Sequence, residues 1–149
     1  MIKIRHIKLC DYISYTNHIH SDITYDYFEN FINNILNDNH HIIVAVTDDI
    51  ILGSITIFIE HKMTYNGCKM AHIENMLVEK DMRHQNIGSK LINCSVGIAK
   101  EQKCYRIDLA CDESVKNFYI KNNFNPDNIS MTMLIKDNFT CLHTTPQHS

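Results

Sequence analysis

Residues Ala71 to Ser89 read A-H-I-E-N-M-L-V-E-K-D-M-R-H-Q-N-I-G-S, and the fold is decided by how this stretch is read. Its first half alternates, with Ile73, Asn75 and Leu77 on one face and His72, Glu74, Met76 and Val78 on the other, which predicts a β-strand. A charged turn follows, then a helix that opens on Asn86, Gly88 and Ser89. A strand running through a small polar turn into a helix presents free backbone N–H groups at the positive end of a helix dipole. That geometry suits phosphate or pyrophosphate. Arg83 adds a fixed positive charge and a planar fork that matches phosphate oxygens. With a single glycine, the turn is neither a Walker A loop nor a G-x-G-x-x-G turn.

Outward from this stretch, periodicity changes several times. Ile2 to Leu9 alternates apolar and basic residues and predicts an edge strand, while Asp11 to His20 is polar and has no clear period. From about Asp22 the spacing predicts a helix, with Phe28, Phe31, Ile32, Ile35 and Leu36 on one face. His41 to Thr47 is nearly continuous in apolar residues, which predicts a strand buried on both faces. Asp48-Asp49 predicts a hairpin turn, and Ile51 to Glu60 a returning strand with Ile51, Ile55, Ile57 and Ile59 on one side. Tyr65-Asn66-Gly67 signals a turn.

After the central turn, Ile87, Leu91, Ile92, Val96, Ile98 and Ala99 give a helix to about Gln102, interrupted by Gly97. Tyr105 to Ala110 reads as a strand, Glu113 to Asn122 as a short helix carrying Val115, Phe118 and Tyr119, and Ser130 to Lys136 as a last strand. The order predicts one α/β (α+β) domain over residues 1–136 built on a mixed sheet, and a flexible tail over 137–149.

Composition narrows the function classes. The chain has 149 residues, enough for one domain with a real core. Its net charge of -3, with both signs interspersed, argues against nucleic acid or anionic membrane as partner. No apolar run approaches the ~20 residues that cross a bilayer, and M-I-K-I-R-H-I-K is too polar for a signal peptide, so a cytoplasmic protein is expected. The cysteines at 10, 68, 94, 104, 111 and 141 form no C-x-x-C pair, which predicts free, mostly buried thiols. Neither His18/His20 nor His40/His41 has the i, i+4 spacing of a metal-binding helix, so these are expected at the surface and no metal is expected.

Three blocks in order and spacing carry a resemblance over roughly Phe28 to Lys136. R-H-Q-N-I-G-S resembles the R/Q-x-x-G-x-G/A pyrophosphate loop of the GNAT acetyltransferases, with Asn86 at the first glycine position. I-E-H-K-M-T-Y-N-G-C-K-M-A-H-I-E-N-M-L-V resembles the I-E-x-K-F…G-H-I-E-D-I-V-V segment of the glucosamine 6-phosphate N-acetyltransferases. C-Y-R-I-D-L-A-C-D-E…F-Y-I-K-N-N-F resembles that family's C-Y-K-I-x-L-D-C…F-Y-x-K-x-G-F.

The resemblance implies the GNAT fold, with acetyl-CoA in a wedge where the central strand and its neighbour splay apart. It implies direct attack of the amine of glucosamine 6-phosphate on the thioester, in UDP-N-acetylglucosamine synthesis, by a homodimer. By the same resemblance, the backbone of Met76, Leu77 and Val78 holds the thioester and pantetheine, and Arg83, His84, Gln85, Asn86, Ile87, Gly88 and Ser89 hold the pyrophosphate. Tyr119 matches the general acid at the leaving sulfur. Glu74 matches a glutamate that contacts the sugar or its amine, and Asn75 replaces an aspartate. Lys136 matches a basic residue that reaches the sugar phosphate from the partner subunit. Two departures stand out. Ala110 occupies the position of the expected carboxylate, leaving Asp112 or Glu74 acting through water, or water alone, as the route for the amine proton. The asparagine that touches CoA is displaced to Asn117, with Lys116 beside it. These departures leave two other readings: a GNAT enzyme for another amine, or a CoA-binding protein without turnover.

Overall fold

The computed structural model describes residues 1–135, the side chain of His84 excepted; Lys136, Cys141 and the 137–149 tail lie outside the described residues. Five strands form one sheet in chain order: β1 (Lys3–His6), β2 (His40–Thr47), β3 (Ile50–His61), β4 (Lys69–Val78) and β5 (Cys104–Leu109). The first four pair antiparallel. β5 runs parallel to β4, an arrangement that requires a crossover, here the helix that carries the chain between them.

Helices α1 (Tyr12–Ile19) and α2 (Tyr25–Asn30) pack on one face of the sheet, and α3 (Ile87–Glu101) and α4 (Lys116–Lys121) on the other. β2 feeds both cores. Ile43 and Ala45 join the α3 side, while Ile42, Val44 and Val46 join the α1 side, which is why its sequence is apolar without alternation. Asp48 and Asp49 turn the β2–β3 hairpin with φ of 49° and 61°, the paired left-handed geometry that matches strand twist.

Several sequence expectations give way, each for a local reason. The stretch without a period contains α1. Its Ser, Thr, Asn and His residues are weak helix formers, so packing of Tyr12 and Tyr15 around Phe28 holds it. After α2 the backbone widens into a π-type turn at Phe31–Ile35, which swings Ile35 out to 43% exposure. Between β2 and β3 the register moves from Ala45↔Gly53 to Val46↔Ile51, so Leu52 is an extra residue. That bulge carries Ile51 to the α1 side, away from Ile55, Ile57 and Ile59.

The last predicted strand is absent among the described residues: 130–135 are irregular and exposed, with no sheet neighbour. Alternation records a surface, but a strand needs a ladder partner. The described cysteines are free, yet none is buried. Cys10 and Cys111 are exposed, and Cys68, Cys94 and Cys104 are half-buried. His18, expected at the surface, is instead 6% exposed.

Gly97 lies on the exposed side of α3, and a Cβ there would meet nothing within 4 Å. Its φ is not positive, so alanine fits without strain. Gly97→Ala is expected to raise stability by about 0.5–1 kcal/mol, read as a higher Tm and an unchanged activity.

Candidate functional site

The site is built where β4 loses its β5 partner. β4 pairs with β3 through Thr56↔Glu74 and Ser54↔Leu77, so Asn75 and Met76 together face Ile55. Asn75 is the bulge, with φ of 50°, a left-handed conformation that Asn tolerates better than most side chains. The extra residue corrects the simple alternation: Ala71, Ile73, Met76 and Val78 share the α3-side core, while Glu74 and Asn75 are exposed. The parallel ladder with β5 ends at Ile73↔Leu109. From Glu74 to Val78 β4 has no β5 partner, so the wedge beside it is an open backbone edge in the sheet.

Beyond β4 a 3-10 turn, Lys80–Gln85, leads to Asn86, whose φ of 58° is left-handed. Asparagine thus supplies the conformation for which glycine is the usual solution. Asn86 makes no side-chain cap on α3, so the N–H groups of the first turn have no acceptor from their own cap residue. Arg83 is exposed, and its Nε lies 3.5 Å from the Val78 carbonyl, so its charge stays near the end of β4. Gln85 is exposed and Ser89 half-buried. Ile87 is fully buried in the core, so only its backbone faces the turn.

Gly88 ties this turn to α4. A Cβ on Gly88 would lie 2.8 Å from Phe118 Cζ and 3.6 Å from Met76 Cε. The bulged strand, the helix N-terminus and the Phe118-Tyr119 pair therefore meet at one point, and glycine permits the approach. Gly88→Ala gains up to about 1 kcal/mol of helix propensity but meets an overpacking cost of about 1–3 kcal/mol. The expected result is a lower Tm, opposite in sign to the same substitution at Gly97 in the same helix, together with reduced activity as Phe118 is displaced.

Tyr119 is 8% exposed, its ring held edge-on by Phe118 at 5.1 Å and Phe124 at 6.0 Å. Burial, with a contribution from the nearby Cys111, pushes its phenol up to about 12. No protein group among the described residues hydrogen-bonds its hydroxyl. Tyr119 lines a cavity of about 510 Å³ between the end of β5, α4 and residues 124–130. Ala110 and Asp112 line the same cavity, as does Asp108. Asp108, paired with Arg106 at 2.8 Å, was not singled out by sequence reading, although a strand expected over Tyr105 to Ala110 would put it on one face with Ala110 two residues later.

Lys116 lines the cavity and pairs with Glu113 at 3.3 Å; Asn117 is exposed on α4 and is not a lining residue. Glu74 stands at the mouth of the wedge on β4, one position beyond the last β4–β5 pair, and not among the lining residues. Lys136 lies outside the described residues. Among the described residues no group of three or more His, Cys, Asp and Glu side chains is placed to hold a metal ion, and no helix is long and apolar enough to cross a membrane.

Comparison with known proteins agrees with this geometry. The acetyltransferase (GNAT) family model matches residues 2–124. The chain is 30% identical over 102 residues to a probable glucosamine 6-phosphate N-acetyltransferase 2 of Oryza sativa, covering 66% of this chain and 61% of the relative. It is 32% identical over 102 residues to glucosamine 6-phosphate N-acetyltransferase 1 of Dictyostelium discoideum, covering 66% of this chain and 64% of the relative. The matches thus span little more than three-fifths of these relatives' length. The crystal structure of glucosamine-6-phosphate N-acetyltransferase from Arabidopsis thaliana shares the fold, with a TM-score of 0.87 at 24% identity over 91% of this chain and 99% of that one.

Proposed function

The chain belongs to the acetyltransferase (GNAT) family, and from that premise we propose that it transfers the acetyl group of acetyl-CoA to the amine of glucosamine 6-phosphate. The observation that carries the reading is the wedge itself. The Asn75 bulge and the loss of the β5 ladder leave β4 backbone beside an uncapped helix N-terminus. A thioester with a pyrophosphate tail fits that sequence of features, and the names of the curated relatives support the amino-sugar phosphate as acceptor.

In this mechanism the pyrophosphate lies against the amides of Asn86 to Ser89 and the guanidinium of Arg83. Backbone N–H groups within Met76 to Val78 hold the thioester oxygen as charge builds on it. The amine nitrogen attacks the carbonyl carbon, a C–N bond forms, and collapse of the tetrahedral species breaks the C–S bond. The amine proton leaves through water, toward the cavity carboxylates Asp108 and Asp112 or toward Glu74, because Ala110 offers no acceptor. Tyr119 donates to the departing sulfur. Glu74 and Asn75 contact the sugar at the mouth of the wedge.

The proposal includes a cytoplasmic homodimer in which Lys136 of each chain reaches the sugar phosphate held by its partner. Ile129, Met131, Met133 and Ile135 support it, because each is more than four-fifths exposed, and a second copy is an economical cover for such a row.

Ala110 and Asn75 favour a second reading, a family member that acetylates another amino sugar or amine. Mass spectrometry of products from glucosamine 6-phosphate, glucosamine and a panel of other amines separates the two. N-acetylglucosamine 6-phosphate as the dominant product supports the first reading; a preferred acceptor without phosphate supports the second. CoA binding with no acetylated product from any amine leaves the non-catalytic alternative.

A further inference from the structure

The buried histidine lies next to the cofactor loop. His18 sits on α1 with its side chain 2% exposed, Nδ1 2.6 Å from Glu79 Oε1 and Nε2 3.0 Å from Ser54 Oγ. Ser54 is itself 2% exposed and stands on β3 opposite Leu77. Glu79 is the residue between the end of β4 and the Lys80–Gln85 turn. Its N–H donates to the Leu52 carbonyl at 2.8 Å, and its own carbonyl accepts from the Met82 N–H at 3.0 Å. The residue at which strand becomes loop is therefore held to β3 by its backbone and to α1 by its side chain.

Burial pushes the His18 imidazole down, outweighing the upward pull of Glu79. The neutral ring then has one consistent assignment: Nδ1–H donates to the Glu79 carboxylate, and Nε2 accepts the Ser54 hydroxyl proton. Hydroxyl, imidazole and carboxylate share the connectivity of a hydrolytic triad. A hydroxyl this deeply buried on a paired strand, however, leaves no room for an acyl group, so nucleophilic catalysis is ruled out by access. The arrangement acts as a mechanical tie. A ring withdrawn from water and fully hydrogen-bonded fixes the groups around it, whereas a loop that must order itself on binding loses affinity.

We propose that Ser54, His18 and Glu79 form a brace that fixes the start of the pyrophosphate loop, making His18 a positioning residue for CoA. The inference rests on the acetyl-CoA reading above. It concerns the pyrophosphate end alone, which makes it separable from general loosening of the fold.

The experiment compares kcat/KM for acetyl-CoA with kcat/KM for S-acetylpantetheine, a thioester that lacks the pyrophosphate. In His18→Asn the side-chain amide takes the place of Nδ1 and still donates to Glu79. In His18→Gln it takes the place of Nε2, reaches Ser54 and leaves Glu79 unheld. The ratio of the two efficiencies is expected to stay near wild type in His18→Asn and to fall about tenfold in His18→Gln. Glu79→Ala, at a side chain 40% exposed and so tolerant of truncation, is expected to fall likewise. An unchanged ratio in Glu79→Ala overturns the brace. So does an equal loss with both thioesters, or a His18→Asn ratio as low as that of His18→Gln. If the wild-type protein itself makes no distinction between acetyl-CoA and S-acetylpantetheine, the pyrophosphate reading of the loop fails instead.

Discussion

Tyr119→Phe is expected to lower acetyl transfer by about a hundredfold while leaving acetyl-CoA affinity within about twofold of wild type. The substitution removes one oxygen and keeps the ring in its niche between Phe118 and Phe124. The hydroxyl has no protein partner among the described residues, so its loss leaves no orphaned donor or acceptor behind. A phenol pushed up to about 12 is a weaker acid than a thiol near 8.5, so complete proton transfer to the released thiolate is uphill by about 5 kcal/mol. Its contribution must therefore appear as charge accumulates on sulfur, which is a transition-state effect and falls on kcat. The pH profile follows from the same value. Tyr119 keeps its proton up to about 12, so the rate should rise as the amine deprotonates and show no descending limb from this residue below about pH 10. Steady-state kinetics over that range checks both statements; equal kcat in the Phe variant contradicts the general-acid role.

Asp11→Ala is expected to cost about 2–3 kcal/mol of stability. Asp11 is 2% exposed and accepts both Arg5 nitrogens, at 2.8 and 2.9 Å, and the Lys8 N–H at 2.7 Å. Truncation takes the carboxylate from the Arg5 guanidinium, which keeps only the His6 carbonyl at 3.0 Å; Arg5 has 22% exposure and rehydrates in part, which places the cost below that of a fully buried pair. Burial pulls the Asp11 carboxyl up, but the Arg5 hydrogen bonds, the Lys8 amide and the surrounding charge outweigh it, so the folded value lies below 3.8. A depressed carboxylate contributes stability that is present above its unfolded value and lost as pH falls through the folded one. Melting curves should therefore show wild type losing stability below about pH 4, with a shallower loss in Asp11→Ala. Parallel acid limbs would contradict the assignment.

The sequence made most of the element order legible, with the two-faced β2 and the turn after the central strand, because long periodic runs and a resemblance in three blocks bear on them; it missed α1 and supplied a last strand that residues 130–135 do not form. It was silent where one inserted residue changes the phase. The bulges at Asn75 and Leu52 each send the neighbouring side chains to the opposite face, and no residue type announces a bulge in advance. The helix around His18 lacked a period because its buried face is polar, and the histidine looked like a surface residue since its two partners lie 36 and 61 residues away. The convergence of Gly88, Met76 and Phe118 was hidden for the same reason: it joins three elements that sequence spacing cannot bring together. The candidate roles of Tyr119 and the loop came from the resemblance, and the cavity around Asp108 and Asp112 came from the structure.

Amine-dependent cleavage of acetyl-CoA at the wedge beside β4 is the reaction proposed for this chain. Its most direct measurement is the initial rate of CoA thiol release by the purified protein with glucosamine 6-phosphate, with glucosamine, and with no amine. Rapid release is expected with the phosphorylated sugar, much slower release with the free sugar, and none above background without an amine. Release that is equal with and without amine, or absent in all three while CoA still binds, would contradict it.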